Sequence, residues 1–222
     1  MLKISNIEIF NWEGAIRGMR NPLNSWHLSD TFTNECEEDL INDLGISYPR
    51  IGPNDYSLMK KLAKAGSDHR KYLRQIFISM DIDAPLFWWK EFDTYAVGVT
   101  KNSCSTMHKI HSKEFTREDF SVETCDDVAT GMVIDALIGV LNILRNTFNE
   151  TKDKKYWRQM IELLPSSYNQ MRTVTLNYEV AINMYKARRH HKLTEWHTLC
   201  DTLEKFPYSE FITNNWLEDC NE

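Results

Sequence analysis

The sequence predicts an α+β fold: one helix-rich domain spanning residues 1–222, with a modest mixed or antiparallel sheet. Three observations point there. Glycine and proline are scarce, at 8 and 6 of 222 residues, which argues against a sandwich of many short strands and for long helices. Beyond Asn54 apolar residues recur mostly at helical spacing. No internal repeat, low-complexity tract or Gly/Ser/Pro-rich linker interrupts the chain, whose length suits a single generous core.

The opening KISNIEIF carries Ile4, Ile7, Ile9 and Phe10, a pattern suited to a short strand with an irregularity. Residues 11–53 read as loops and short helices. In NDYSLMKKLAKAG, Leu58, Leu62 and Ala65 share a helical face and Gly66 supplies the stop. Ser67 or Asp68 then caps a helix through HRKYLRQIFISM, where Tyr72, Ile76 and Met80 recur every fourth residue. Pro85 suits the first turn of a helix PLFWWKEFDTY. AVGVTKNSCSTMHKI reads as strand or loop. The longest helix is expected in DVATGMVIDALIGVLNILRNTF, with an apolar stripe of Val133, Leu137, Val140, Leu141 and Leu144. Three further helices are expected: KKYWRQMIELL, ending at Pro165; NQMRTVTLNYEVAINMYKARR; and KLTEWHTLCDTLEKF, ending at Pro207.

A net charge of −6 argues against nucleic-acid polymers as the main partner, because neutralising phosphates needs a basic surface. Five cysteines (Cys36, Cys104, Cys125, Cys200 and Cys220) show no zinc spacing and read as reduced thiols in the cytoplasm. The start, MLKISNIEIFNWEG, lacks a signal-peptide core, and no apolar run of about 18 residues is expected anywhere in the chain. A soluble intracellular protein without a membrane partner is expected.

Three islands carry candidate chemistry. In Gly66–Arg70, His69 falls at an expected helix start, where amides and Arg70 attract an anion; plain capping beside a surface histidine is the alternative. From Trp88 to His108 a tryptophan pair precedes a polar tract. Trp88 and Trp89 suit the core, whereas Lys101, Asn102, Ser103, Ser105 and His108 offer donors for a phosphate or base, or form a solvated loop. Cys104 lacks a visible activating base. In KARRHHK (186–192) arginines suit an oxyanion clamp or complement a helix C-terminus, and adjacent His190 and His191 lack metal spacing.

The order and separation of these islands resemble the flavin-dependent thymidylate synthases. Asp68-His69 stands for that family's Glu-His pair. The signature RHRxxSxNxxSxR falls on Asp93, Thr94 and Tyr95, then Gly98, with Ser103 keeping the second serine and Ser105 replacing the last arginine. Lys90 falls where the family often has glutamine. Leu164-Pro165 matches its Leu-Pro element, and Arg189 its nucleotide-binding arginine.

The resemblance implies a homotetramer with active sites between subunits. It further implies FAD reduced by NADPH, and methylene transfer from a folate to a pyrimidine nucleotide, deoxyuridylate in the family. It places His69, Asp93, Thr94 and Tyr95 beside the flavin. Lys90, Lys101, Asn102, Ser103, Ser105, His108 and Arg189 fall beside the nucleotide, with Ser103 and Arg189 catalytic. Writing Asp-Thr-Tyr for Arg-His-Arg removes cations near the phosphates. Either Lys90, Lys101, His108 and Lys109 take over for an altered substrate, or the chain is a non-catalytic nucleotide-binding or protein-interaction module.

Overall fold

The computed structural model describes residues 2–32 and 39–213, so Cys36 and Cys220 lie outside the described residues. Helices form along most of the long apolar spacings, and strands replace helix in two places. In chain order the elements are β1 (Lys3–Phe10), α1 (Trp12–Arg20), β2 (Leu40–Ile41), β3 (Ser47–Tyr48), α2 (Pro53–Lys64), β4 (Phe77–Pro85), α3 (Leu86–Phe92) and β5 (Thr100–Ser103). They continue with α4 (Val128–Thr151), α5 (Lys154–Leu163), β6 (Asn169–Asn177), α6 (Tyr178–Arg188), α7 (Thr194–Leu203) and α8 (Glu210–Thr213). One sheet has the order β1-β4-β6-β5, and β2 pairs antiparallel with β3. The α+β class, helix-rich with a modest sheet, holds.

The two departures share a cause. HRKYLRQIFISM was expected as a helix, but a short 3-10 turn over 71–74 leads into β4, whose residues alternate between half-buried and buried from Phe77 to Ala84. A spacing of four is a multiple of two, so Tyr72, Ile76 and Met80 satisfy either period. Likewise the first half of NQMRTVTLNYEVAINMYKARR is β6, where β-branched Thr173, Val174 and Thr175 favour a pleated strand. Both strands pass straight into helices. Pro85 closes β4 and caps α3, whereas Asn177 closes β6 and accepts the Val180 amide at 3.0 Å as the cap of α6.

The chain forms two compact units: residues up to 3, 82–95 and 102–173; and residues 4–81, 96–101 and from 174 onward. In the first, α4 begins on the Asp127 carboxylate, which accepts the Ala129 and Thr130 amides. Its Leu141 is buried, and Ile134, Leu137, Ile138, Leu144 and Phe148 pack with it on a core of Ile110, Phe115, Phe120, Val122 and Met160. The expected stripe is therefore rotated: Val133 and Val140, placed in it by sequence, are 65% and 44% exposed. Helix α4 is long and apolar enough to cross a membrane by length and composition, although little of it is buried within the chain. That corrects the expectation of no apolar run of this length: Asp135, Asn142 and Arg145 punctuate a helix that is otherwise apolar enough to qualify.

In the second unit, Trp12, Tyr72, Tyr178, Trp196 and Phe211 are buried, and Tyr178 donates to the Pro207 carbonyl at 2.6 Å. Asp55, fully buried on α2, ties down the segment after α1. One carboxylate oxygen takes Arg20 Nε at 2.6 Å; the other accepts Ser29 Oγ, the Asp30 and Thr31 amides, and Thr31 Oγ1. Burial pushes the Asp55 carboxyl up, but hydrogen bonds from Thr31, Arg20 and Ser29 outweigh it and hold the group below its ordinary value.

A depressed folded-state value gives stabilisation that is complete above the unfolded value, about 3.9. It fades as pH falls through the lower folded value. Asp55→Asn leaves Arg20 buried without its counter-charge and is expected to cost about 3–5 kcal/mol in urea unfolding at neutral pH. The gap between variant and parent should narrow as the solution is acidified.

Candidate functional site

Arg172, on β6, organises the chemistry of the first unit. Its guanidinium lies 4.2 Å from the centre of the Trp89 ring, and its Nη1 meets both Asp93 oxygens, at 2.9 and 3.1 Å. Its Nε donates to Gln170 Oε1 at 3.0 Å. Residues two apart on a strand share a face, which is why Gln170 and Arg172 can meet. Gln170 Nε2 in turn donates to the Cys104 carbonyl at 2.7 Å, while the Gln170 carbonyl accepts the Trp89 indole at 2.8 Å. The Cys104 amide donates to the Met171 carbonyl at 2.9 Å. The end of α3 and the segment after β5 are thus joined through β6.

Beside this network lies a cavity of about 540 Å3, within the range of small-molecule sites. Cys104, Ser105 and Thr106 form one wall, and Phe115, Tyr168 and Gln170 another. Lys109 lines it and forms no ion pair among the described residues, whereas Lys113 is paired with Asp119. Asp83 and Glu118 add acceptors. Burial raises the Tyr168 hydroxyl above its ordinary value, reinforced by Asp119 and Asp83, so it remains a protonated donor at neutral pH. Cations, donors, acceptors and two aromatic rings together suit a polar ring carrying an anionic group.

Of the residues singled out by sequence, Ser105 lines this cavity, and its Oγ accepts the His108 amide at 2.9 Å. Asn102 and Ser103 are exposed on β5, and His108 is exposed. Lys90 is exposed on α3; Thr94 Oγ1 bonds the Glu91 carbonyl, and Tyr95 packs 6.3 Å from the Phe92 ring. Asp93 is not sealed in the core, its side chain being 45% exposed. Trp88 and Trp89 are fully buried, as expected of large aromatics.

In the second unit, Lys101 is half-buried, and His69 is exposed in a turn over 67–69. The expected helix start is absent there: the Gly66 carbonyl accepts the His69 and Arg70 amides, and only the 3-10 turn follows. Arg70 is committed to Glu179 through two bonds of 2.8 and 2.9 Å. Arg189, just past α6, pairs with Asp201 and, at 3.3 Å, with Glu204, contacts that raise its already high pKa. Arg188 covers Trp196 at 4.6 Å. Gln170, Arg172 and Tyr168 escaped the sequence reading; the signal that could have found the first two is the alternation in NQMRTVTLN.

No family model matches the sequence, and no curated protein does. Solved structures do. Thymidylate synthase X (ThyX) from Helicobacter pylori with FAD and dUMP is 15% identical, with a TM-score of 0.69 over 97% of this chain and 98% of that one. A second structure of the flavin-dependent enzyme from Helicobacter pylori, also complexed with FAD and dUMP, is 16% identical, with a TM-score of 0.63 over 98% and 100%. The chain therefore has the fold of flavin-dependent thymidylate synthase.

The Arg172 network orders two substitutions. Asp93 is nearly half exposed, so Asp93→Ala should cost at most about 1 kcal/mol. Arg172→Ala strips the stack on Trp89 and the Gln170 bond together, and should cost about 2 kcal/mol in urea unfolding.

Proposed function

We propose that this chain binds a pyrimidine mononucleotide and acts at its C5 as a flavin-dependent methyl(ene) transferase resembling thymidylate synthase. FAD is the cofactor, with NADPH and a methylene-folate as co-substrates. The observation that carries this reading is the agreement of fold, over nearly the whole chain, with enzymes whose structures hold FAD and dUMP. The cavity beside Cys104 supports the nucleotide part.

In this reading Lys109 meets the phosphate, while Ser105 and Thr106 donate to its oxygens. Phe115 and Tyr168 flank the base, and Gln170, its side chain spent on Cys104 and Arg172, fixes the backbone of that wall. Ser103 and Arg189 retain their proposed catalytic roles, Lys90, Lys101, Asn102 and His108 their roles near the nucleotide, and His69 its place by the flavin. Arg189 would have to release Asp201 or Glu204 to take a base. When bound, FAD supplies the hydride chemistry that reduces the transferred carbon.

The diphosphate of FAD does not fit Asp93, Thr94 and Tyr95. Asp93 cancels the charge of Arg172, so a dianionic group there meets a neutral pair instead of surplus cations. That pairing favours a second reading: a nucleotide-binding or protein-interaction module on the same fold, without flavin chemistry.

The proposed homotetramer has support in α4. Val128, Met132, Val133, Val140 and Ile143 are exposed along it, an apolar surface of the kind another chain covers. A second copy suits it better than lipid, because Asp135, 67% exposed on the same helix, would cost about 2.5–3.5 kcal/mol at a bilayer centre. The free thiols of Cys104, Cys125 and Cys200 agree with the cytoplasm as its compartment.

The absorbance spectrum of the purified protein, followed by thermal unfolding with dUMP, decides between the readings. Flavin bands in the near ultraviolet and blue, with a dUMP-induced rise in melting temperature, are expected of the transferase. A rise without flavin bands selects the module; neither signal overturns both. Substituting Val140→Glu and Ile143→Glu together should reduce the mass measured by light scattering to that of smaller species.

A further inference from the structure

The cavity beside Cys104 carries charge that a bound phosphate does not account for. Lys113 and Asp119 answer each other, and Asp119 also accepts the Thr116 amide and hydroxyl, so both are spent. Lys109 remains for an anion. Asp83 and Glu118 remain as well: both line the cavity, and neither carboxylate takes an ion pair or a hydrogen bond among the described residues. One open cation therefore stands beside two open acceptors, and the acceptors need donors.

Both carboxylates belong to the end of the cavity that holds the two rings. Asp83 is half-buried on β4. Burial, and then the charges of Asp119 and Asp83, raise the Tyr168 hydroxyl above its ordinary value, so the Asp83 carboxylate lies within electrostatic reach of that group. Glu118 sits in a 3-10 turn, Arg117–Asp119, shortly after Phe115. That turn is held beside Tyr168: the Glu118 carbonyl accepts Asn169 Nδ2 at 3.4 Å, the Ser121 amide donates to the Ser167 carbonyl at 2.8 Å, and Phe120 bridges Tyr168. The Phe115 and Tyr168 rings themselves meet edge to face at 6.2 Å.

We propose that the base bound here is an aminopyrimidine, cytosine rather than uracil, with its exocyclic amine toward Asp83 and Glu118 and the phosphate toward Lys109. The inference rests on the pyrimidine-nucleotide reading above and names its substrate. The two bases differ at one rim position: cytosine carries an amine donor where uracil carries a carbonyl acceptor, and carboxylates pair with the amine. Uracil in the same pose would set that carbonyl against a carboxylate, acceptor against acceptor. The C5 position is present in both bases, so the proposed chemistry keeps its target. Glu118 is exposed and Asp83 only half-buried, so water moderates the discrimination to about tenfold, far below that of a sealed site.

Calorimetric titration of the full chain with dCMP and dUMP at constant ionic strength reads the preference. Alkylation of Cys104, exposed on the cavity wall, with iodoacetamide and peptide mass spectrometry reads the place. We expect dCMP to bind about tenfold tighter than dUMP and to slow labelling of Cys104. N4,N4-dimethyl-dCMP, which lacks both amine donors, should lose that advantage without any change to the protein. Asp83→Asn with Glu118→Gln should bring the ratio of dCMP to dUMP affinity near one, because an amide can donate to the uracil carbonyl as well as accept from the amine. Binding of dUMP as tight as dCMP overturns the inference and leaves the nucleotide reading standing, whereas no binding of either overturns both. A dCMP advantage that survives the dimethyl analogue or the paired substitution, or dCMP binding that leaves Cys104 labelling unchanged, overturns the inference too.

Discussion

The first unit depends on where the charge of Arg172 is spent. A guanidinium that is 12% exposed must be matched, and four groups match it: the Trp89 face, the Asp93 carboxylate, the Gln170 amide and, through Gln170, the backbone of Cys104. Each is an ordinary interaction. Together they fix three chain segments to one strand, and they set the position of the wall that Cys104 and Ser105 give the cavity. The same arrangement consumes a cation that an oxyanion would otherwise find, leaving Lys109 as the cavity cation that forms no ion pair among the described residues. Structural order and ligand electrostatics are therefore coupled through one residue.

Much of the fold was legible. Helices α2, α3, α4, α5 and α7 follow from apolar spacing and from terminators such as Gly66, whose φ of 100° few side chains tolerate, and Pro165. What escaped were β4 and β6. Their apolar residues recur at intervals that helix and strand both allow, and the choice is made by pairing within the sheet, a long-range effect. The rotation of α4 was hidden for a related reason: nearly every side of that helix is apolar, so sequence alone does not say which line faces the core.

The candidate site was legible in outline and not in detail. A polar tract after a tryptophan pair does border a cavity, and Ser105 lies in it. Its partners could not be read off, because Tyr168, Gln170 and Arg172 lie more than sixty residues away, and the last two sat in a segment assigned to helix. Ion pairs were equally invisible: nothing local in the sequence announces that Arg189 is held by Asp201 and Glu204, or that Asp55 gathers five hydrogen bonds.

The junctions at Pro85 and Asn177, where strand becomes helix with no intervening loop, limit how this chain can change in length. One added residue at either point would turn the following helix by about 100° or invert which side chains of the strand face inward. Neither error has a flexible stretch in which to be absorbed. Insertions and deletions should therefore be better tolerated at exposed turns such as that around 123–124, while the seams that carry Trp89 and Glu179 keep a constant count of residues.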